Sequence, residues 1–296
     1  MSIASAITAA QGRVNDAYDA VASKGGTIPA TRNLSNLPTA INSITSSGYT
    51  QIPSYEVNSN GIAVGITAVL DGTEFNDIVG IAANAMNHVY YSKTVSGPVK
   101  FPSLVTITGD SACASAFSAS GVTSVNMSAL TTVSGYQGCY FMFNSCSSIV
   151  SVDLSSLQEV SGSYACHNMF GWCTGITSIN LSSLKTISGS NGMDSTFNHC
   201  THLTSVDLSS LETISGASAL YQAFANTALT SLSFPSLKST SFGDKTNQFS
   251  RMLADVTGCT VHFPSNLQSV IGSWSSVTGG FGGTNTTVLF DLPATE

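Results

Sequence analysis

The sequence predicts a mainly β solenoid of about seven coils, each about 27 residues long, carried behind a small N-terminal helical module. Three observations lead there: a 27-residue self-similarity, apolar columns at fixed places within each repeat, and a surface that is polar but nearly uncharged. Aligned segments begin at Val122, Ile149, Ile176, Leu203 and Leu229, with spacings of 27, 27, 27 and 26 residues. Their openings read VTSVNMSALTTVSG, IVSVDLSSLQEVSG, ITSINLSSLKTISG, LTSVDLSSLETISG and the more divergent LTSLSFPSLKSTSFG. An earlier copy begins near Val99 and a later one near Val261. Charged residues make up only 8% of the chain, against about 25% in an average globular protein.

The columns give each repeat its parts. Val125, Val152, Ile179, Val206 and Leu232 form one apolar ladder; Leu130, Leu157, Leu184, Leu211 and Leu237 a second; Phe143, Phe170, Phe197 and Phe224 a third. One such coil cannot bury its own apolar face, whereas coils stacked at strand spacing of about 4.8 Å bury one another. The alternation in Val152-Asp153-Leu154 predicts a short strand, and Leu157 to Val160 a second after the Ser-Ser bend. Gly135, Gly162, Gly189, Gly216 and Gly243 mark a turn that side chains would crowd. From that glycine to the Phe column the expectation is a helical or irregular segment.

This order of parts, an apolar strand, a Ser or Pro bend, L-x-x-[VI], Gly, then an aromatic and Cys as in Met142-Phe143-Asn144-Ser145-Cys146, resembles the BspA-like leucine-rich repeat family. The resemblance covers roughly residues 99 to 272 and implies a right-handed solenoid used in adhesion and recognition. Residues 47–98 are read as an N-terminal cap with a degraded coil from Ile78 to Tyr91, and residues 273–296 as a cap whose strand, Val288 to Leu292, closes the last coil.

Residues 1–46 follow a different period. Ile3, Ile7, Ala10, Val14, Ala17 and Val21 are spaced 4, 3, 4, 3 and 4, which gives one helix a narrow apolar seam, ended by Lys24-Gly25-Gly26. A second short helix follows Pro29, with Leu34, Leu37, Ile41 and Ile44 on one side. The pairing of a helix, a Gly turn and N-L-x-x-L-P-x-x-I is similar to N-terminal modules of tail and fibre proteins of bacterial viruses. It implies an attachment or oligomerisation segment.

Few residues offer chemistry. Cys146, Cys173 and Cys200 share one column continued by Thr227, and Cys139 and Cys166 another continued by Met193 and Leu220. A thiol replaced along its column by Met and Leu is read as a small hydrophobe, not a disulfide partner or ligand. The best metal candidate, His199, Cys200 and His202 with Cys173 one coil away, fails because flanking residues on an extended segment point to opposite sides. No metal, no cofactor and no catalytic residue is expected.

Asn126, Asp153, Asn180 and Asp207 lie between inward positions and form an outward ladder. It is the first candidate for binding a carbohydrate, weighed against plain surface polarity. A net charge of -7 without clustered cations excludes nucleic acid, and no stretch is long enough to span a bilayer.

With no export signal visible and a surface suited to exposure outside the cell, the sequence reads as a non-enzymatic virion structural protein of a bacterial virus, a tail, baseplate or head-fibre component. Its expected partners are other virion proteins and further copies of itself, a trimer among the options. The alternative is an adhesin, viral or on a bacterial cell surface, that recognises a host-surface glycan or protein.

Overall fold

The computed structural model describes residues 14–22, 55–66, 75–89, 96–240, 242 and 247–296. By its contacts the chain divides into two units, Met1–Gln51 and Ile52–Glu296. In the first unit residues 14–22 form a helix. The second is a β solenoid of about seven turns of roughly 27 residues.

The coils between residues 96 and 214 each contribute one short strand to each of two faces, and the strands outside them belong to one face only. The first face is an eight-stranded sheet of β1 (Tyr55–Val57), β2 (Ile62–Ile66), β3 (Gly80–Ile81), β5 (Thr106–Ile107), β7 (Thr132–Val133), β9 (Glu159–Val160), β11 (Thr186–Ile187) and β13 (Thr213–Ile214), in that order. Apart from the antiparallel β1–β2 pair, all its pairings are parallel. The second face carries β4 (Ser96–Lys100), β6 (Gly121–Asn126) and β8 (Ser151–Asp153), then β10 (Ser178–Asn180) and β12 (Ser205–Asp207), then β14 (Ser231–Ser233), β15 (Thr260–Pro264) and β16 (Thr287–Leu292).

Pairings of Val125 with Val152, Ile179 with Val206, and Leu232 with Val261 stack the first predicted ladder on itself. Val152 and Val206 sit half-buried against the core, and the Leu column is buried throughout. The Phe column is fully buried, its rings nearly parallel at centroid distances of 5.2, 5.4, 5.7 and 5.9 Å from Phe117 to Phe224.

The third side of each coil is regular but not helical, which corrects the helical half of the expectation from the sequence. It is a run of consecutive turns with two interleaved hydrogen-bond sets. The amides of Gln137, Cys139, Phe141, Phe143 and Ser145 donate to carbonyls of the next coil at 2.7–3.0 Å. The amides between them, Gly138, Tyr140, Met142 and Asn144, donate three residues back within their own coil. Closing both sets requires a left-handed residue at every fourth position. Gln137, Phe141 and Ser145 have φ of 54°, 53° and 61°, and Tyr164, Asn168 and Trp172 repeat the pattern at 55°, 49° and 62°.

The glycine column serves close approach rather than a left-handed turn. A Cβ added at Gly135, Gly162, Gly189 or Gly216 would drive into the backbone carbonyl of the equivalent glycine one coil earlier. Gly243 lies outside the described residues.

The stack of coils extends past the strongest repeats at both ends. Phe75 stacks on Phe101 at 4.6 Å, and Ile78, Ile81 and Met86 are buried, so residues 75–89 pack as a coil. At the other end β16 pairs parallel with β15 and stacks Phe290 on Phe263 at 5.7 Å, where the sequence expects its late strand. Short helices Gln268–Ile271 and Ser275–Thr278 turn Ile271 and Val277 into the core on the way.

Truncating Phe170 or Leu157 to Ala leaves a void between fixed neighbours and is expected to cost about 3–5 and 2–5 kcal/mol respectively in urea denaturation. Gly189→Ala is expected to destabilise by more than about 2 kcal/mol. Gly65→Ala, where an added Cβ meets nothing within 4 Å, stays within about 0.5 kcal/mol and serves as control.

Candidate binding face

The predicted ladder is in register: Asn126 lies beside Asp153, and Asn180 beside Asp207. Each of the four uses its Oδ1 to accept the backbone N–H two residues on, from Ser128, Ser155, Ser182 and Ser209, at 2.9–3.1 Å. These are Asx turns that close the bend between the two strand faces.

The same strand position in other coils carries Lys100, Ser233 and His262, and there the residue two on is Pro102, Pro235 and Pro264. Proline has no N–H to satisfy, so no side-chain acceptor is needed. From Lys100 to His262 the position is Asn or Asp where the amide exists and other residues where proline replaces it; Leu289, paired with His262 and followed two on by Asp291, falls outside this pattern. Asp153 also accepts from Ser155 Oγ at 2.7 Å. Recognition by this ladder is therefore left to atoms beyond the bonded Oδ1.

All seven cysteines are buried and unpaired. Cys146, Cys173 and Cys200 donate their thiols to the carbonyls of Phe117, Phe143 and Phe170 at 2.9–3.1 Å, each reaching the preceding coil. Burial pushes Cys146 and Cys173 up, and Cys200 up to about 12. In the second column Cys139 is raised first by its thiol hydrogen bond with Cys113, then by burial, and Cys166 first by its bond with Cys139.

The metal candidates do not converge. Cys173 and Cys200 point inward, His199 stacks on Trp172, and His202 Nδ1 is 2.6 Å from the Thr174 carbonyl. Among the described residues no group of three or more His, Cys, Asp or Glu is arranged to hold an ion.

The turn side offers a different kind of surface. In the coils from Ser111 to Asn226 the left-handed residues and those before them form three pairs per coil, a stacked lattice in which most side chains reach solvent while Ala114, Ser115, Ser118, Asp194, Ser195 and Ala225 are buried. The middle column of pairs reads Tyr140-Phe141, His167-Asn168, Asp194-Ser195 and Tyr221-Gln222; the next reads Asn144-Ser145, Gly171-Trp172, Asn198-His199 and Ala225-Asn226. A groove of about 660 Å³ runs between these columns, lined by Phe141, Asn144, Asn168, Trp172, Asp194 and Asn198 among others.

Its aromatic groups fall in two clusters. Trp172, half exposed, lies against His199 at 3.7 Å and 15°. Tyr140 stacks on His167 at 5.0 Å, and Phe141 and Tyr164 close on the same imidazole at 5.4 and 5.8 Å. Burial and then nearby tyrosines and Asp194 raise Tyr140, which keeps its hydroxyl a donor.

The polar pairs are locked internally. Ser145 Oγ donates to Asn144 Oδ1 at 2.9 Å, and Asn168 Nδ2 meets His167 Nε2 at 3.0 Å. Ser195 Oγ donates to Asp194 Oδ1 at 2.7 Å, and His199 Nδ1 meets Asn198 Oδ1 at 2.7 Å. Asp194, buried, also accepts from Asn191 Nδ2 at 2.8 Å. His167 Nδ1 lies 3.2 Å from Asp194 Oδ2, within pairing distance when the ring is protonated but not aligned as a hydrogen bond.

In the N-terminal helix Val14 and Val21 are buried and Ala17 half-buried, with Tyr18 fully buried on the same side. The seam reading did not include that tyrosine, although its place between Val14 and Val21 fits the period. Ile3, Ile7 and Ala10, and the second predicted helix, lie outside the described residues.

No protein-family model and no curated protein matches the chain. Solved structures similar to it include two leucine-rich repeat proteins. A leucine-rich cell surface protein from Faecalibacterium prausnitzii A2-165 aligns with a TM-score of 0.41 at 19% identity, over 72% of this chain and 56% of that one. A leucine-rich repeat protein from Bacteroides ovatus ATCC 8483 aligns with a TM-score of 0.32 at 15% identity, over 82% and 76%. This chain thus spans little more than half the length of the first.

Two outcomes follow from this chemistry. Asp207→Ala removes a bend acceptor and is expected to cost about 0.5–1.5 kcal/mol, whereas Asp207→Asn keeps the acceptor and stays near zero, as melting curves would show. The thiols are expected to resist alkylation in the folded protein at pH 8 and to react completely, all seven, once denatured. Because folding raises the pKa of Cys146, Cys173 and Cys200, their contribution to stability is full below the ordinary thiol value of 9.0 and falls as pH climbs from there towards about 12. Rapid labelling of Cys173 or Cys200 without unfolding would contradict this burial.

Proposed function

We propose that this chain is a non-enzymatic display protein: a stiff solenoid that offers its turn side for recognition and is held in an assembly by its N-terminal segment. The observation that carries the reading is the contrast between columns. Strand, bend, glycine and Phe columns hold one residue type or close substitutes from coil to coil, because packing requires it. The pairs of the turn side change at every coil, and at the groove they change towards aromatics, amides and a carboxylate.

Groups that elsewhere do chemistry are committed to structure. The thiols are buried, and the Asn and Asp ladder closes bends.

In its finer form the proposal is a virion structural protein of a bacterial virus, in the tail, baseplate or head fibre, assembled with other virion proteins and with further copies of itself. Its support is the resemblance of residues 1–46 to attachment modules of such proteins. The BspA-like character of the repeat favours a second reading, an adhesin on a bacterial surface.

Deleting residues 1–46 tests the assembly half. The truncated chain is expected to stay soluble and folded, with its melting temperature kept, and to be lost from the oligomer or particle. Aggregation or unfolding would make the segment a cap of the solenoid, and unchanged assembly would remove its attachment role.

A further inference from the structure

Resting on the display reading, we propose that the turn-side groove is a binding site for an uncharged carbohydrate, with Trp172 as stacking platform and Asn144, Asn168, Asn198 and Asp194 as partners for its hydroxyls. A sugar ring has two recognisable features, an apolar C–H face and a rim of hydroxyls that both donate and accept. The first needs an exposed, flat, immobile aromatic. The second needs planar groups with paired donors and acceptors held at fixed positions.

Trp172 meets the first need. Its ring is supported on one side by His199 at 3.7 Å, and its column neighbour on the other side is Ser145, whose small side chain leaves the indole face open. At 50% exposure it is a large apolar ring left facing water, though the fold could seat a small residue there, as it does at Ser145.

The amides meet the second need. Asn144, Asn168 and Asn198 each have one atom bonded to an adjacent side chain, so their orientation is set before a ligand arrives, and each retains further donor or acceptor capacity. Asp194 is fixed by Asn191 and Ser195 and brings an acceptor for a pair of vicinal hydroxyls.

Charge selects the class of sugar. None of the described residues lining the groove is Lys or Arg, and Asp194 contributes a negative charge. Sialylated, sulfated or phosphorylated glycans would meet repulsion without a compensating cation, and so would a nucleic-acid strand. The groove volume of about 660 Å³ is within the usual range of about 300–1,000 Å³ for small-molecule sites.

The test uses the full chain on an array of neutral and anionic oligosaccharides, followed by calorimetry with the best neutral binder. The expected result is binding confined to neutral glycans. Trp172→Ala weakens it by about tenfold or more, Trp172→Tyr stays within about threefold of the parent, and Asp207→Ala on the strand ladder leaves it unchanged. Melting curves confirm that each variant is folded.

No neutral glycan bound, a preference for anionic glycans, or an unchanged affinity in folded Trp172→Ala would each overturn the assignment. Adhesion of the chain to cells separates the two levels. Adhesion that depends on Trp172 yet survives enzymatic removal of surface glycans keeps the display reading and points to a protein or peptide ligand. Adhesion indifferent to Trp172 defeats the turn side itself as the recognition surface.

Discussion

Everything in this molecule depends on hydrogen bonds between backbone groups 25 to 30 residues apart. On two sides of the coils from β4 to β13 they form parallel sheet. On the third they alternate with local turns, one amide to the neighbouring coil and the next to its own. The alternation forces three left-handed residues per coil, at about 1–2 kcal/mol each, while the five inter-coil bonds of that side return about 0.5–1.5 kcal/mol each. These roughly cancel, so the net stability of a coil comes from burying its Phe and Leu columns. The glycine column follows from the same constraint, since coils brought close enough to bond leave no space for a Cβ between successive turns.

That division of labour explains why the surface looks as it does. The inward side chains and the bends are held by packing and by Asx closure, and they repeat. The turn side needs only backbone amides and a tolerance for positive φ, so its side chains are free to differ. In a stacked array that freedom produces a fixed grid of independently variable positions. Pairs such as Asn198-His199 and Asp194-Ser195 are bonded to each other and therefore stand in set orientations, which lowers the entropy lost on binding. A solenoid of this kind recognises by choosing residues at grid points rather than by shaping loops.

The solenoid itself was legible because apolar columns at constant spacing have few other physical explanations. Val125 to Leu232, Leu130 to Leu237 and Phe143 to Phe224 all sit where their period put them. The turn side was not legible, because its backbone pattern depends on bonds to the next coil and leaves no apolar periodicity; local reading left a helix open there. Tyr164, Asn168 and Trp172 fall four apart, but four is also the spacing of one helix face, so local sequence does not separate the two.

The role of Asn126, Asp153, Asn180 and Asp207 was also written in the sequence, in the switch to Lys100, Ser233 and His262 wherever proline follows two residues later. Exposure alone does not reveal that role; the amide each side chain has to satisfy does.

The central claim is that a regular run of left-handed residues, tied across coils, builds the display surface. Backbone φ angles measured by NMR at Gln137, Phe141, Tyr164, Asn168 and Trp172 test it most directly. Positive values near those of the structure, at every fourth residue and in successive coils, are the predicted result; negative φ throughout these segments would contradict the account.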